Sequence, residues 1–166
     1  METQAAHAGL IEKLRASLRD HGFTELAGLD APYVGRLSLI LTPRLWTMRR
    51  VCAVADLSIG VRSAAQVHVA YAKLRSMLAK EYGGFPWHQT VSTILVLVCW
   101  GITYAKLVEH SSKLSDRTGF HKNVILGTVL ADREGHQCVG YSSFRYGSTG
   151  PLFADVQRSV REWCES

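Results

Sequence analysis

The sequence contains no apolar run long enough to cross a bilayer as a helix. Its longest strongly apolar stretch, residues 93–100 with their neighbours, is about half of the roughly 20 residues that a membrane-spanning helix requires. The first residues, METQAAHAGLIEKL, lack a basic region followed by an apolar stretch and a small-residue cleavage site. We therefore expect no membrane partner and no secretory signal, and we interpret 91–100 as a buried strand.

Cysteine is scarce and scattered. The four cysteines are far apart in the chain, at Cys52, Cys99, Cys138 and Cys164. Small secreted domains instead carry closely spaced cysteines that form a disulfide framework. The spacing therefore favours a reducing, cytoplasmic location, and the apolar strands around Cys52 and Cys99 indicate inert core residues rather than reactive thiolates.

The motifs of common enzymes are also absent. The chain has no GxGxxG, GxxxxGK[ST], HExxH, CxxC or GxSxG, each of which places reactive groups or phosphate-binding amides at a fixed spacing. Ser148 in YGSTGP comes closest to an elbow serine, but it lacks the glycine two positions earlier. We therefore predict no catalytic residue and no cofactor, and we favour a protein that is not an enzyme.

The histidines and cysteines do not form a metal-binding pattern. His136 and Cys138 are two residues apart in a predicted strand, so their side chains are expected to share one face, and His110 and His121 lie elsewhere in the chain. Zinc requires three or four converging ligands, and one pair does not supply them. We predict no metal site, with a buried cysteine and a solvent-exposed hairpin histidine instead.

What the chain does have is the composition of an ordinary globular protein. Hydrophobic residues make up 47% and charged residues 20% of 166 residues, which is typical of a folded chain. This length predicts a single domain, 1–166. The net charge of +5 is spread over several segments, so it favours anionic partners in general but disfavours nucleic acid as a specific partner.

Hydrophobic periodicity predicts alternating helices and strands. A first helix has its apolar stripe at Leu10, Ile11, Leu14 and Leu18. It is expected to end near His21, with Gly22 left-handed and Phe23 folded back on the helix. Residues 25–32 then look like a connection. The remaining elements are strands at 34–42, 47–57 and 91–100, a capped helix from Ser63 to Gly83, a helix at 103–114, a hairpin at 123–131 and 137–144 with Gly135 left-handed, and a helix from Pro151.

This order predicts an α+β fold, a mixed sheet of about five strands with helices packed against it. The hairpin near the end makes the sheet mixed, because its strands are antiparallel. A three-layer α/β sandwich is the alternative.

The stretch EYGGFPWHQT, residues 81–90, contains the candidate partner-binding residues. Phe85, Trp87 and His88 follow a glycine pair in a short connection, and aromatic side chains on a rigid loop are good anchors for a protein partner. The alternative is that the rings fold over the helix end and cover the central strand. We favour this alternative for Phe85, and leave both open for Trp87 and His88.

Two further segments have possible binding chemistry. In FRYGSTGPLF, residues 144–153, Arg145 precedes Ser148 and Thr149 at a predicted helix start, where free amides and a guanidinium make an anion site plausible. The alternative, which we favour, is ordinary helix capping. The basic segment 44–50 has an aromatic among arginines, but Arg49 and Arg50 point to opposite faces, so we expect paired or solvated arginines.

The sequence thus favours a non-catalytic cytoplasmic binding or regulatory domain that acts through protein–protein interaction, as a homodimer or with another protein. The alternative is an enzyme or sensor that binds a phosphorylated or otherwise anionic small molecule near residues 145–151. A weaker alternative is non-specific nucleic-acid binding, which would require a steep loss of affinity with salt.

Overall fold

The structure is a computed structural model that describes residues 2–31, 35–43, 48–57, 64–82, 90–99, 101–109, 123–142 and 149–166. Its helices are α1 (Glu2–Leu18), α2 (Ala64–Tyr82), α3 (Gly101–Glu109) and α4 (Thr149–Glu165). Its strands are β1 (Glu25–Ala31), β2 (Gly35–Leu41), β3 (Met48–Asp56), β4 (Thr90–Val98), β5 (Asn123–Asp132) and β6 (Gln137–Ser142). A short 3-10 turn, Arg19–His21, follows α1.

The described strands form one mixed sheet whose spatial order, β1-β2-β3-β4-β5-β6, is the order in the chain. The first three strands are antiparallel neighbours. Strands β3, β4 and β5 are parallel, and β6 returns antiparallel to β5. The predicted α+β class with a mixed sheet is confirmed, with six strands where about five were expected.

Helices cover both faces of the sheet. On the first face, α1 and α4 pack on apolar residues that include Ile40, Val54 and Ile94. On the second face, α2 and α3 pack on residues that include Leu39 and Leu95. Both α2 and α3 connect parallel strands that advance in one direction, so right-handed crossovers put them on the same side. Helices thus lie on both sides of one sheet, which is the three-layer arrangement named as the alternative in the prediction.

The end of α1 follows the prediction. Gly22 adopts a left-handed conformation with φ of 83° and donates its N–H to the carbonyl of Arg19. Phe23 donates its N–H to the carbonyl of Leu18 over 3.2 Å, and its side chain is buried. These two bonds are those of a Schellman ending, which places Phe23 in the core of the first face.

The interpretation of 25–32 as a connection was wrong, because Glu25–Ala31 forms β1 and pairs with β2 over seven residue pairs. The segment ELAGLDA has no β-branched or aromatic residue, so its own strand propensity is low. Its conformation comes from pairing with β2, whose preference for an extended chain is clear from its sequence.

The β5–β6 hairpin is confirmed, but its left-handed residue is His136, with φ of 51°, and not Gly135. Gly135 is needed for a different reason. A Cβ at this position would lie 2.8 Å from Asp132 Oδ2, and the other carboxylate oxygen, Oδ1, accepts a hydrogen bond from the Gly135 N–H over 3.1 Å. The glycine therefore lets the Asp132 side chain close the turn.

Candidate functional site

Three histidines of the described chain connect parts of the fold. His7 Nε2 lies 3.1 Å from the hydroxyl of Ser38, and His21 Nε2 lies 2.7 Å from a carboxylate oxygen of Asp155. His136 Nδ1 lies 2.7 Å from the carbonyl oxygen of Cys164, to which it donates a hydrogen bond. These contacts hold α1, the turn after α1 and the β5–β6 turn against distant parts of the fold.

The expected strand pair of His136 and Cys138 is wrong. His136 belongs to the turn before β6, and its ring is turned to the last turn of α4. Cys138 lies in β6 with its sulfur 3.9 Å from the carbonyl of Gln157. Within the described ranges, no group of three or more histidine, cysteine, aspartate or glutamate side chains is placed to hold a metal ion.

The four cysteines are free thiols. Burial raises the pKa of the Cys52 thiol from 9.0 to about 12. Burial, with a smaller effect of Asp132, raises the pKa of Cys99 to about 12, and burial raises the pKa of Cys164 to about 12 and of Cys138 to about 11. Because the thiolate is the reactive form, these side chains are poor nucleophiles near neutral pH.

Exposure distinguishes one cysteine from the others. Cys138 is half-buried, whereas Cys52, Cys99 and Cys164 are buried. We expect a maleimide reagent to label native Cys138 first, and the other three only when the protein unfolds. Mass spectrometry of tryptic peptides after timed labelling measures this order. Rapid labelling of a buried thiol in the native protein would contradict the burial described above.

Arg49 is paired with other groups of the fold, in agreement with the expectation of paired or solvated arginines in the segment 44–50. Its guanidinium forms an ion pair with Glu25 and donates from Nε to the carbonyl of Thr42 over 3.2 Å. It also lies 5.3 Å from the centre of the Tyr82 ring, within the range of a cation–π contact. These contacts join β1, β3 and the end of α2, so Arg49 is not free for phosphate.

The sequence-predicted binding residues fall almost entirely outside the described part of the chain. Phe85, Trp87 and His88 lie outside it, and so do Arg145 and Ser148. Thr149 is the first residue of α4, at the helix start that was predicted near Pro151. Partner binding by the first three and anion binding by the last three therefore stay predictions.

Edge strand β1 has a surface that the sequence did not reveal. The N–H of Thr42 bonds to the carbonyl of Arg50, toward β3. Successive residues of a strand direct their backbone groups to opposite sides, so Leu41 and Leu39 bond toward β1. The bond from the Thr24 N–H to the Leu41 carbonyl agrees with this direction.

The residues of β1 that lie opposite Leu41, Leu39 and Leu37 direct their backbone N–H and C=O groups toward β2. These are Glu25, Ala27 and Leu29. Leu26, Gly28 and Asp30 alternate with them, so their N–H and C=O groups point away from β2. Among the described strands, β1 has a neighbour only at β2. The three residues thus present six backbone groups along the edge.

The side chains beside this edge are one exposed apolar group and two groups of opposite charge. Leu26 is 48% exposed. The Arg36 guanidinium lies over Gly28, because a Cβ built there would be 3.1 Å from its Nε. Asp30 is the register partner of Arg36. We call Leu26, Gly28, Asp30 and Arg36 the β1 edge surface; these four residues share the first face of the sheet.

The β1 edge surface has few of the features that keep strands apart. Natural edges are often interrupted by proline, lysine or bulges. Strand β1 contains neither proline nor lysine, and its register with β2 is continuous over seven pairs. Its two carboxylates, Glu25 and Asp30, lie beside Arg49 and Arg36. The edge is therefore open to pairing with another extended chain.

No helix in the described ranges combines the length and the apolar character needed to cross a membrane. Compared with protein families, with curated proteins and with solved structures, the chain matches none.

Proposed function

We propose that the protein is a non-catalytic binding domain that acts through protein–protein interaction, with the β1 edge surface as its binding site. The observation that carries this proposal is the row of outward backbone groups at Leu26, Gly28 and Asp30, next to an exposed leucine side chain. An extended segment of a partner would add to the sheet as a further strand.

The chemistry of strand addition fits this surface. Backbone hydrogen bonds supply affinity that depends little on sequence, and side chains along the edge supply specificity. Here Leu26 offers apolar contact, while Asp30 and Arg36 offer one charge of each sign on the same face. A partner segment with an apolar residue and, four positions away on the same face, a cationic residue would complement Leu26 and Asp30.

The described side chains favour binding over catalysis. His7, His21 and His136 have structural hydrogen-bond partners, and burial raises the pKa of the cysteine thiols. The described thiols are therefore poor nucleophiles near neutral pH, and the three histidines each connect distant elements of the fold. Binding of an anionic small molecule near 145–151 stays a prediction, which a thermal-shift screen with nucleotides and sugar phosphates would test.

A matched pair of variants tests the binding site. Gly28→Pro removes the outward N–H donor and leaves the β1–β2 bonds in place, because proline is tolerated at an edge where its nitrogen faces outward. Gly28→Ala keeps the donor and displaces only the flexible end of Arg36. We would select displayed random peptides of seven residues, the length of β1, against the wild-type protein.

The selected peptides should bind the Gly28→Ala variant within about threefold of the wild type, because it keeps the N–H donor and moves only the end of the Arg36 side chain. They should bind the Gly28→Pro variant about tenfold more weakly, since a backbone hydrogen bond is lost and the proline ring occupies its place. Circular dichroism would check that both variants fold. Peptides that bind all three proteins equally, or a selection without binders, would count against the β1 edge surface.

A further inference from the structure

We infer that the β1 edge surface binds a second copy of this chain. The two β1 strands are antiparallel, and the two-fold axis passes between Gly28 and the partner's Gly28. This inference depends on the proposed function, because it names the partner for the same surface. It makes one continuous sheet from the sheets of two protomers.

Backbone geometry selects this register. In an antiparallel pair, hydrogen-bonded residues lie opposite one another and exchange two bonds. Only Leu26, Gly28 and Asp30 of β1 direct their groups outward. With the axis at this position, Gly28 lies opposite the partner's Gly28, and Leu26 lies opposite the partner's Asp30. All outward groups of both β1 strands are then paired, whereas a shift by two residues leaves some of them unpaired.

The side chains are compatible with the same register. Ala27 lies opposite the partner's Leu29, and Glu25 lies opposite the partner's Ala31, so no two charged residues of β1 face one another directly. Arg36 lies over Gly28, so the two Arg36 side chains approach one another beside the axis. The partner's Asp30 is a diagonal neighbour of each guanidinium, within reach of a long side chain, and its negative charge opposes this like-charge contact. Each protomer thus offers the other a complementary charge.

The exposed Leu26 leaves space for this arrangement on the first face. Helix α1 is held over β2, where His7 contacts Ser38, and the adjacent Leu26 of β1 remains exposed. The contact along one strand is smaller than a standard protein–protein interface. We therefore expect a dimer that dissociates on dilution.

Two substitutions at one exposed position test the register. Leu26→Asp would face the partner's Asp30 with a like charge, whereas Leu26→Lys would face it with an opposite charge. Both remove the same apolar side chain. Sedimentation over a wide concentration range should give a dissociation constant about tenfold higher for Leu26→Asp than for Leu26→Lys, because the axis doubles each pair effect. Gly28→Pro should sediment as the 18.4 kDa monomer.

The other outcomes separate the inference from the proposed function. A wild-type protein that stays monomeric at every concentration overturns the second copy as partner, while selected peptides sensitive to Gly28→Pro would still support a binding edge. If Gly28→Pro leaves the dissociation constant of the dimer unchanged, and the two Leu26 variants have the same dissociation constant, the dimer uses another surface. This result overturns the inference. If Gly28→Pro fails to fold, the comparison of the Leu26 variants decides.

Discussion

Replacing Gly127 with alanine is expected to lower the free energy of unfolding by about 3 kcal/mol, at the upper end for overpacking in a core. Gly127 lies in β5 under α4, and a Cβ built on it would be 2.4 Å from the ring of Phe153. Phe153 is buried in the core of the first face, so the ring has no free space to move into. Urea unfolding of the two proteins measures the difference.

Gly140→Ala is the matched control for this prediction. Gly140 lies in the neighbouring strand β6 and also faces α4, but its added Cβ would meet the end of the Gln157 side chain. A flexible side chain can rotate away, so we expect a change within about 1 kcal/mol. Equal effects of the two substitutions would mean that α4 can shift away from β5. A second check is Phe153→Leu in the Gly127→Ala background, because the shorter side chain relieves the clash and is expected to restore part of the lost stability.

Alkaline pH is expected to lower the free energy of unfolding by about 4 kcal/mol between about pH 8 and pH 10. Burial raises the pKa of Cys52, Cys99 and Cys164 from 9.0 to about 12 in the folded protein. Above pH 9 the unfolded chain releases these protons while the folded chain retains them. The stabilisation is therefore complete below pH 9 and is lost as the pH rises toward 12. Three thiols each contribute about 1.4 kcal/mol for one pH unit.

Cys52→Ala provides the control for the pH effect. Its free energy of unfolding should depend less on pH by about a quarter to a third, because one of three buried thiols is gone and the half-buried Cys138, whose pKa is raised to about 11, adds a smaller share. The comparison uses the difference between pH 8 and pH 10 within each protein, so a change in core packing cancels. The same pH dependence in both proteins would contradict the assignment to thiols. Tyr104, whose pKa burial raises from 10.0 to about 12, adds to the loss mainly above pH 10.

Much of the fold could be predicted from local sequence rules. The Schellman ending at Gly22 and Phe23, the long helix α2 and the β5–β6 hairpin each depend on residues close together in the chain. The number of strands could not be predicted in this way, because β1 is held by its neighbour and its own residues do not favour a strand. One sequence signal was present, because only residues 32–34 separate β1 from Gly35, and a connection of this length suits a hairpin. Gly35 can adopt the left-handed conformation that it has in the structure, with φ of 81°.

The candidate site was harder to predict than the fold. Leu26 and Gly28 looked like parts of a connection, and Arg36 was placed in a predicted strand without a role. Their shared position at a sheet edge depends on strand order, which results from packing across the whole chain. The left-handed His136 was missed for a related reason, because its ring bonds to Cys164 at the distant end of α4.

The contact between α1 and α4 has a consequence for synthesis on the ribosome. These helices lie at opposite ends of the described chain, yet they share the core of the first face, and Lys13 lies 3.5 Å from Glu162. The second face is closed by α2 and α3, which are complete long before α4 emerges. A growing chain would therefore cover one side of its sheet early. The apolar residues under α4, such as Val129, would stay accessible to chaperones until that helix has left the exit tunnel.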